Sequence, residues 1–236
     1  MAIVSFRMTS WKMKAPMSRK TLALIHTSST LVPLFQQLCK ARLPGVDTFN
    51  IADDSLIKDV IARGHLTPAT ARRVAGHIAS AEAAGADYIL VTCSSIGAAV
   101  EAAAPFTGIP VLRVDQPMAD AAVRAGERIG VVATLSTTLE PTADLIRRRA
   151  LSAGRRVILT SRLCEGAFEA LMRGDPAAHD AKVMEALAIL SEQVDVIVLA
   201  QASMARVADQ IPQEKRRVPI MASPPLAIDY LESVLA

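Results

Sequence analysis

The chain has 236 residues, enough for one large α/β domain or two small lobes with proper cores. Hydrophobic residues make up 51% but aromatics only 3%, so Ala, Val, Ile and Leu build the core, which favours close helix-on-sheet packing over an aromatic-lined pocket or a surface for stacking nucleobases. The net charge of +3 rests on residues 1–20, which hold Arg7, Lys12, Lys14, Arg19 and Lys20 and no acid; the other 216 residues are net −2, which argues against nucleic acid as a partner.

In chain order, the basic segment 1–20 reads as a disordered tail. It has no continuous apolar stretch and no convincing cleavage site, and no later run would span a bilayer, so a cytoplasmic chain without a membrane partner is expected. Short apolar runs rich in β-branched residues then predict buried strands at Leu22–His26, Tyr88–Thr92, Val111–Val114, Ile129–Ala133, Val157–Thr160, Val196–Ala200 and Val218–Met221. Between them, Ala-rich stretches such as Thr67–Ala84, Met118–Ala125 and His179–Gln193 have helical spacing. Strand–helix alternation predicts an α/β fold with mostly parallel sheet flanked by helices.

The sequence also repeats. At a shift of 108 residues, Leu24–Pro33 falls on Val132–Pro141, Asp87–Ser95 on Asp195–Ser203, Pro68 on Pro176 and Pro117 on Pro225. Two pseudo-symmetric lobes are therefore expected, at residues 21–128 and 129–236, with the C-terminal segment able to pack on the first. Parallel sheets bind ligands beyond the carboxyl ends of their strands. Four such ends would converge between the lobes, carrying His26–Thr30, Cys93–Ser95, Thr134–Thr138 and Gln201–Ser203. Hydroxyl-rich loops leading into helix N-termini grip anions through main-chain N–H groups, so a small carboxylate is the natural ligand.

Three cysteines, Cys39, Cys93 and Cys164, show no CxxC spacing and fit neither a disulfide framework nor a zinc site. The four histidines are scattered, so no metal is expected. His65, His77 and His179 read as solvated residues, and Arg147–Arg149 and Lys215–Arg217 as solvated faces or caps. Cys164 is read as packing, not on a matching strand end but in an apolar helix-like stretch several residues after Val157–Thr160.

The motifs Val91-Thr92-Cys93-Ser94-Ser95-Ile96-Gly97, Leu199-Ala200-Gln201-Ala202-Ser203 and Ile25-His26-Thr27-Ser28-Ser29-Thr30-Leu31-Val32-Pro33 together resemble the aspartate/glutamate/hydantoin racemase superfamily. Residues 85–125 look especially like its hydantoin racemase and arylmalonate decarboxylase branch. The resemblance covers residues 21–236 and implies two α/β lobes around a substrate, a cofactor-independent isomerase and a hydantoin-like or carboxylate substrate. A homo-oligomer is expected separately, from the general prevalence of such assemblies. It assigns Cys93 as the catalytic thiol, removing or returning a proton at the carbon next to a carboxylate or carbonyl.

Ser94 and Ser95 are expected to hold the substrate carboxylate or enolate oxygen, with Ser28, Ser29, Thr134, Ser136 and Thr137 closing the anion site. His26 would line the cleft, and Gln201 and Ser203 would orient substrate across from Cys93. A helix N-terminus beside Cys93 is expected to favour its thiolate. Racemases of this kind use two opposed thiols, and here Gln201 occupies the second place. An amide is no acid or base near neutrality, so racemisation would need His26, Cys164 or water as the second proton source. The similar decarboxylase works with one thiol, placed in its second lobe rather than its first. A single-cysteine lyase and a non-catalytic carboxylate binder therefore stand as alternatives.

Overall fold

In the computed structural model, which describes residues 19–235, the first half comprises β1 (Thr21–His26), α1 (Val32–Arg42), β2 (Asp47–Ala52), α2 (Asp54–Arg63), α3 (Pro68–Ala83), β3 (Tyr88–Val91), α4 (Gly97–Ala103) and β4 (Val111–Arg113). It continues through α5 (Gln116–Ala125), β5 (Arg128–Ala133), α6 (Ser136–Ser152), β6 (Ile158–Leu163), α7 (Ala167–Met172), α8 (Pro176–Leu190), β7 (Val196–Leu199), α9 (Ala205–Asp209), β8 (Ile220–Ala222) and α10 (Ser223–Leu235). The expected tail lies outside the described residues, except for Arg19 and Lys20. The α/β class with parallel strands is as expected: two sheets, in the orders β2-β1-β3-β4 and β6-β5-β7-β8, with every strand pair parallel.

The central strands β1, β3, β5 and β7 are apolar on both faces because helices cover both faces. The edge strand β2 was not anticipated. Its sequence, DTFNIA, is half exposed and has no continuous apolar run. The corresponding edge strand of the second sheet, β6, extends to Leu163 through Ser161 and Arg162, beyond the expected end at Thr160.

The helices are exchanged between the halves. α5 follows the first sheet, yet Met118, Ala119, Ala122 and Val123 pack against Ile129, Val131 and Val198 of the second. α10 follows the second sheet, yet Ala227, Ile228 and Leu231 pack against Leu22, Leu24 and Leu90 of the first. Each sheet thus completes its core with a helix from beyond the other's turn, burying several aliphatic side chains worth roughly 1.5–3 kcal/mol each.

The uniform shift of 108 residues needs correction. Leu22 pairs with Tyr88 in one sheet and Ile129 with Val196 in the other, so the third strands lie 108 apart but the first strands 107. Thr134 therefore matches Thr27 rather than His26. Nor are Pro33 and Pro141 equivalent: Pro33 opens α1, whereas Pro141 lies inside α6.

Candidate active site

Strand alternation sorts the first-sheet side chains. Tyr88, Leu90 and Thr92 face α1 and α10, while Ile89, Val91 and Cys93 face α2 and α3. Cys93 caps a 3-10 turn, Ser94–Ile96, that leads into α4. It is half-buried, with aliphatic side chains behind it. Burial pushes its thiol above the ordinary value; the Thr27 hydroxyl and the Ser95 and Ile96 N–H groups pull the other way without prevailing. This direction runs against the expected thiolate, and desolvation is the largest of the effects acting on the thiol.

The counterpart in the second sheet is Gln201, which stands at the same place after β7 and caps the 3-10 turn Ala202–Met204. Its amide oxygen accepts from the Thr134 N–H at 2.6 Å and the Thr134 hydroxyl at 3.0 Å. Thr27 with Cys93 and Thr134 with Gln201 thus form matching pairs at the ends of the central strands. Thr27, passed over in the sequence, is almost fully buried.

Several expected site residues are otherwise engaged. His26 is fully buried, with Nδ1 2.9 Å from the Thr92 hydroxyl and Nε2 2.9 Å from the Asn50 amide oxygen. Its ring tilts against Phe35, and burial lowers its pKa against the opposing pull of Asn50. With both nitrogens occupied inside the core, His26 does not line a cleft. Ser29 donates its N–H and hydroxyl to Asp54, and Ser28 pairs with Thr30, so this loop is closed on itself. Thr134 spends both donors on Gln201.

The other expected residues remain at the turns. Ser94 and Ser95 are buried beside Cys93, Ser136 and Thr137 form the first turn of α6, and Ser203 is half-buried after Gln201. Ser95 Oγ meets Thr138 Oγ1 of α6 at 2.8 Å, which joins the Cys93 turn to the second half.

The turns after β3, β5 and β7 have no side-chain cap, in contrast to α2, α3 and α8, which are capped by Asp53, Thr67 and Asp175. Capping alone thus does not account for the hydroxyl residues at these three turns.

Behind the Cys93 turn sits a buried charge cluster that the sequence did not suggest. Arg113 donates to Asp115 through Nε at 3.0 Å and Nη2 at 2.7 Å, and to Glu101 at 2.8 Å. Glu101 also meets Arg148 of α6 at 3.1 Å. A side chain on Gly97 would overlap the Arg113 guanidinium, so the glycine lets the arginine pass beneath α4. Arg148 and Arg149, read as solvated faces or caps, keep partly exposed side chains and pair there with Asp144 and Asp120.

Cys164 also differs from expectation. It directly follows β6, and its N–H reaches the Ala133 carbonyl at 2.8 Å. Its side chain is nevertheless buried among Val132, Ala167 and Val183, and burial pushes its thiol up to about 11. His179, read as solvated, is fully buried beside Asp180. Among the described residues no group of three or more His, Cys, Asp or Glu could hold a metal ion, and no helix is long and apolar enough to cross a membrane.

The family model described as Asp/Glu/Hydantoin racemase matches residues 23–231 of the chain. The chain belongs to this family. As a member of the Asp/Glu/hydantoin racemase family it also shares its fold with solved structures of low sequence identity. Glutamate racemase RacE1 from Bacillus anthracis is 19% identical, with a TM-score of 0.68 over 92% of this chain and 81% of that one. Allantoin racemase from Klebsiella pneumoniae is 18% identical, with a TM-score of 0.62 over 92% and 87%. Aspartate racemase from Picrophilus torridus is 12% identical, with a TM-score of 0.69 over 92% and 94%. Comparison of this family member with curated protein sequences gives no match.

Proposed function

We infer that the chain is a cofactor-independent enzyme acting on a small carboxylate or hydantoin-like molecule, with Cys93 moving a proton at the carbon next to a carboxylate or carbonyl. The observation that carries this reading is the gathering of main-chain N–H donors around Cys93 and its counterpart. At the turn that begins at Cys93 the Ser95 and Ile96 N–H groups point at the thiol, and the turns that begin at Leu135 and Gln201 have no side-chain cap among the described residues. Such donors stabilise negative charge that develops on a carboxylate or enolate; one positioned donor contributes about 3 kcal/mol in transition states of this type. The Gln201 amide nitrogen remains available to orient the substrate from the other half.

Inversion needs proton transfer on both faces of the substrate plane. His26 and Cys164 are buried and otherwise occupied, so water is left as the source opposite Cys93 for a racemase. A second reading, a single-thiol lyase acting on a malonate-type acid, is favoured by the upward direction of the Cys93 pKa. There the carbon–carbon electron pair would stay on the α-carbon as carbon dioxide leaves. The Cys93 thiol would then protonate that carbon, and water would restore the thiol.

Incubating candidate acids in heavy water tests both readings. Deuterium entering the α-carbon with inversion supports the racemase, and entry with full retention leaves a one-sided enolising enzyme. Carbon dioxide release that persists in Cys93→Ala would sink the lyase.

A further inference from the structure

β6 forms the outer edge of the second sheet and pairs with β5 alone. The Ile158 N–H reaches the Glu127 carbonyl and the Cys164 N–H the Ala133 carbonyl, both at 2.8 Å. Backbone groups alternate along a strand, so the N–H and C=O of Leu159, Ser161 and Leu163 point away from the sheet. Ser161 and Arg162 are exposed, and the strand holds neither proline nor bulge, two devices that blunt an edge.

The two ends of β6 carry opposite charge. Six arginines and no acid lie between Leu145 and Cys164, and Glu165 follows at once. Arg148 and Arg149 are engaged by Glu101, Asp144 and Asp120, and Arg155 donates to the Arg124 carbonyl. Arg156, two residues before the strand, and Glu165, two after it, are both exposed, and neither enters an ion pair among the described residues. Apolar surface accompanies the basic end. Leu151, in the last turn of α6, is 80% exposed, and Ile158, first in β6, is 66% exposed.

We propose that this edge is the interface for a second copy of the chain, added antiparallel about a two-fold axis at Thr160. That register sets Leu159 of each copy against the partner's Ser161, where their outward N–H and C=O groups pair. Arg156 comes beside the partner's Glu165 at both ends. Arg162 lies across from the partner's Ile158, and its aliphatic stem covers that exposed side chain. The contact is isologous, so it closes on a dimer. Two copies of β2 joined in the same way would oppose Asp47 to the partner's Asp53, and like charges directly opposite are destabilising. The order of charges along the strand therefore selects β6 and not β2. The interface is independent of the chemistry assigned to Cys93.

Sedimentation velocity of the full chain over a concentration series tests the interface, and a shift from monomer to dimer is expected. Arg156→Glu and Glu165→Arg should each weaken self-association by about tenfold or more, since each sets like charges face to face twice. Both positions are exposed and outside the strand, so the circular dichroism spectrum should not change. Mixed in equal amounts, the two variants should dimerise again, because the acidic copy then meets the basic one at both ends. Ser161→Pro removes an N–H that points off the sheet and should abolish the dimer while β6 stays paired with β5. A chain monomeric at every concentration, self-association undiminished by either charge reversal, no dimer from the mixture, or a dimer that survives Ser161→Pro would each overturn the interface.

Discussion

The Gln201 amide oxygen accepts both the N–H and the hydroxyl of Thr134, at 2.6 Å and 3.0 Å. The residue at the second-sheet counterpart of Cys93 thereby ties the ends of β5 and β7 together. Thr27 and Cys93 make the matching contact in the first sheet. Gln201 is accordingly a structural clamp between the ends of β5 and β7.

Gln201→Cys replaces that clamp with a thiol. The shorter side chain cannot hold both Thr134 donors, so urea denaturation should show a loss of about 1–2 kcal/mol. The new thiol stands opposite Cys93 in the repeat and supplies the missing acid/base. Deuterium incorporated with retention by the parent protein should then enter with inversion, as read by NMR and polarimetry. Continued retention in the variant would count against this placement.

Alkylation should separate the three cysteines. Burial pushes Cys39 and Cys164 up to about 11, and Cys93, though also raised, is the half-exposed one. Mass spectrometry of protein treated with iodoacetamide should find Cys93 modified first, at a rate whose midpoint lies above the ordinary thiol pKa. A raised thiol pKa means the folded state holds its proton more tightly. The linked stability is complete below the ordinary thiol value and is lost as pH rises through the folded value.

Cys93→Ala should lower α-proton exchange by about 100-fold or more. Its melting temperature should change little, since a half-exposed thiol contributes a modest part of the core. Exchange that survives the substitution would remove Cys93 from the chemistry.

Gly97→Ala places a methyl group against the Arg113 guanidinium, which Asp115 and Glu101 hold in place. Either α4 lifts or the buried ion pair breaks. The expected cost is about 3 kcal/mol or more, with loss of exchange activity because α4 carries the Cys93 turn. Chemical denaturation checks the first effect and deuterium exchange the second.

Asp53 links α2 to α3. Burial raises its pKa, but the Ser55 hydroxyl, His77, Arg73 and the Ser55 N–H together outweigh it and hold the carboxyl near 2. A depressed carboxyl pKa contributes stability in full above the unfolded value of 3.8, lost as pH falls toward about 2. Asp53→Asn should flatten this part of the acid-denaturation profile.

His26 shows how far the sequence could be read at the site. The end of the first strand was correctly located, but one residue along a strand reverses the side chain's direction. His26 therefore joins Thr92 in the core, while Thr27 reaches Cys93. The parity of Ile89, Val91 and Cys93 in an apolar run was a usable signal, since Thr27 shares their face. Arg113 gave no such signal, because its partners Asp115, Glu101 and Arg148 meet only after β4, α4 and α6 have packed. Cys164 was misplaced for a related reason: the polar residues of an edge strand hid the end of β6.

By itself the sequence determined the α/β class, the central strands, the repeated order of elements and the family. These follow from local periodicity and from motifs that need no partner to be recognised. The tertiary structure decided which half each of α5 and α10 would cover, which strand-end side chains meet, and which way the Cys93 thiol's pKa moves. Burial and hydrogen bonding act between residues distant in the chain, so their balance is fixed only when the two halves close on each other.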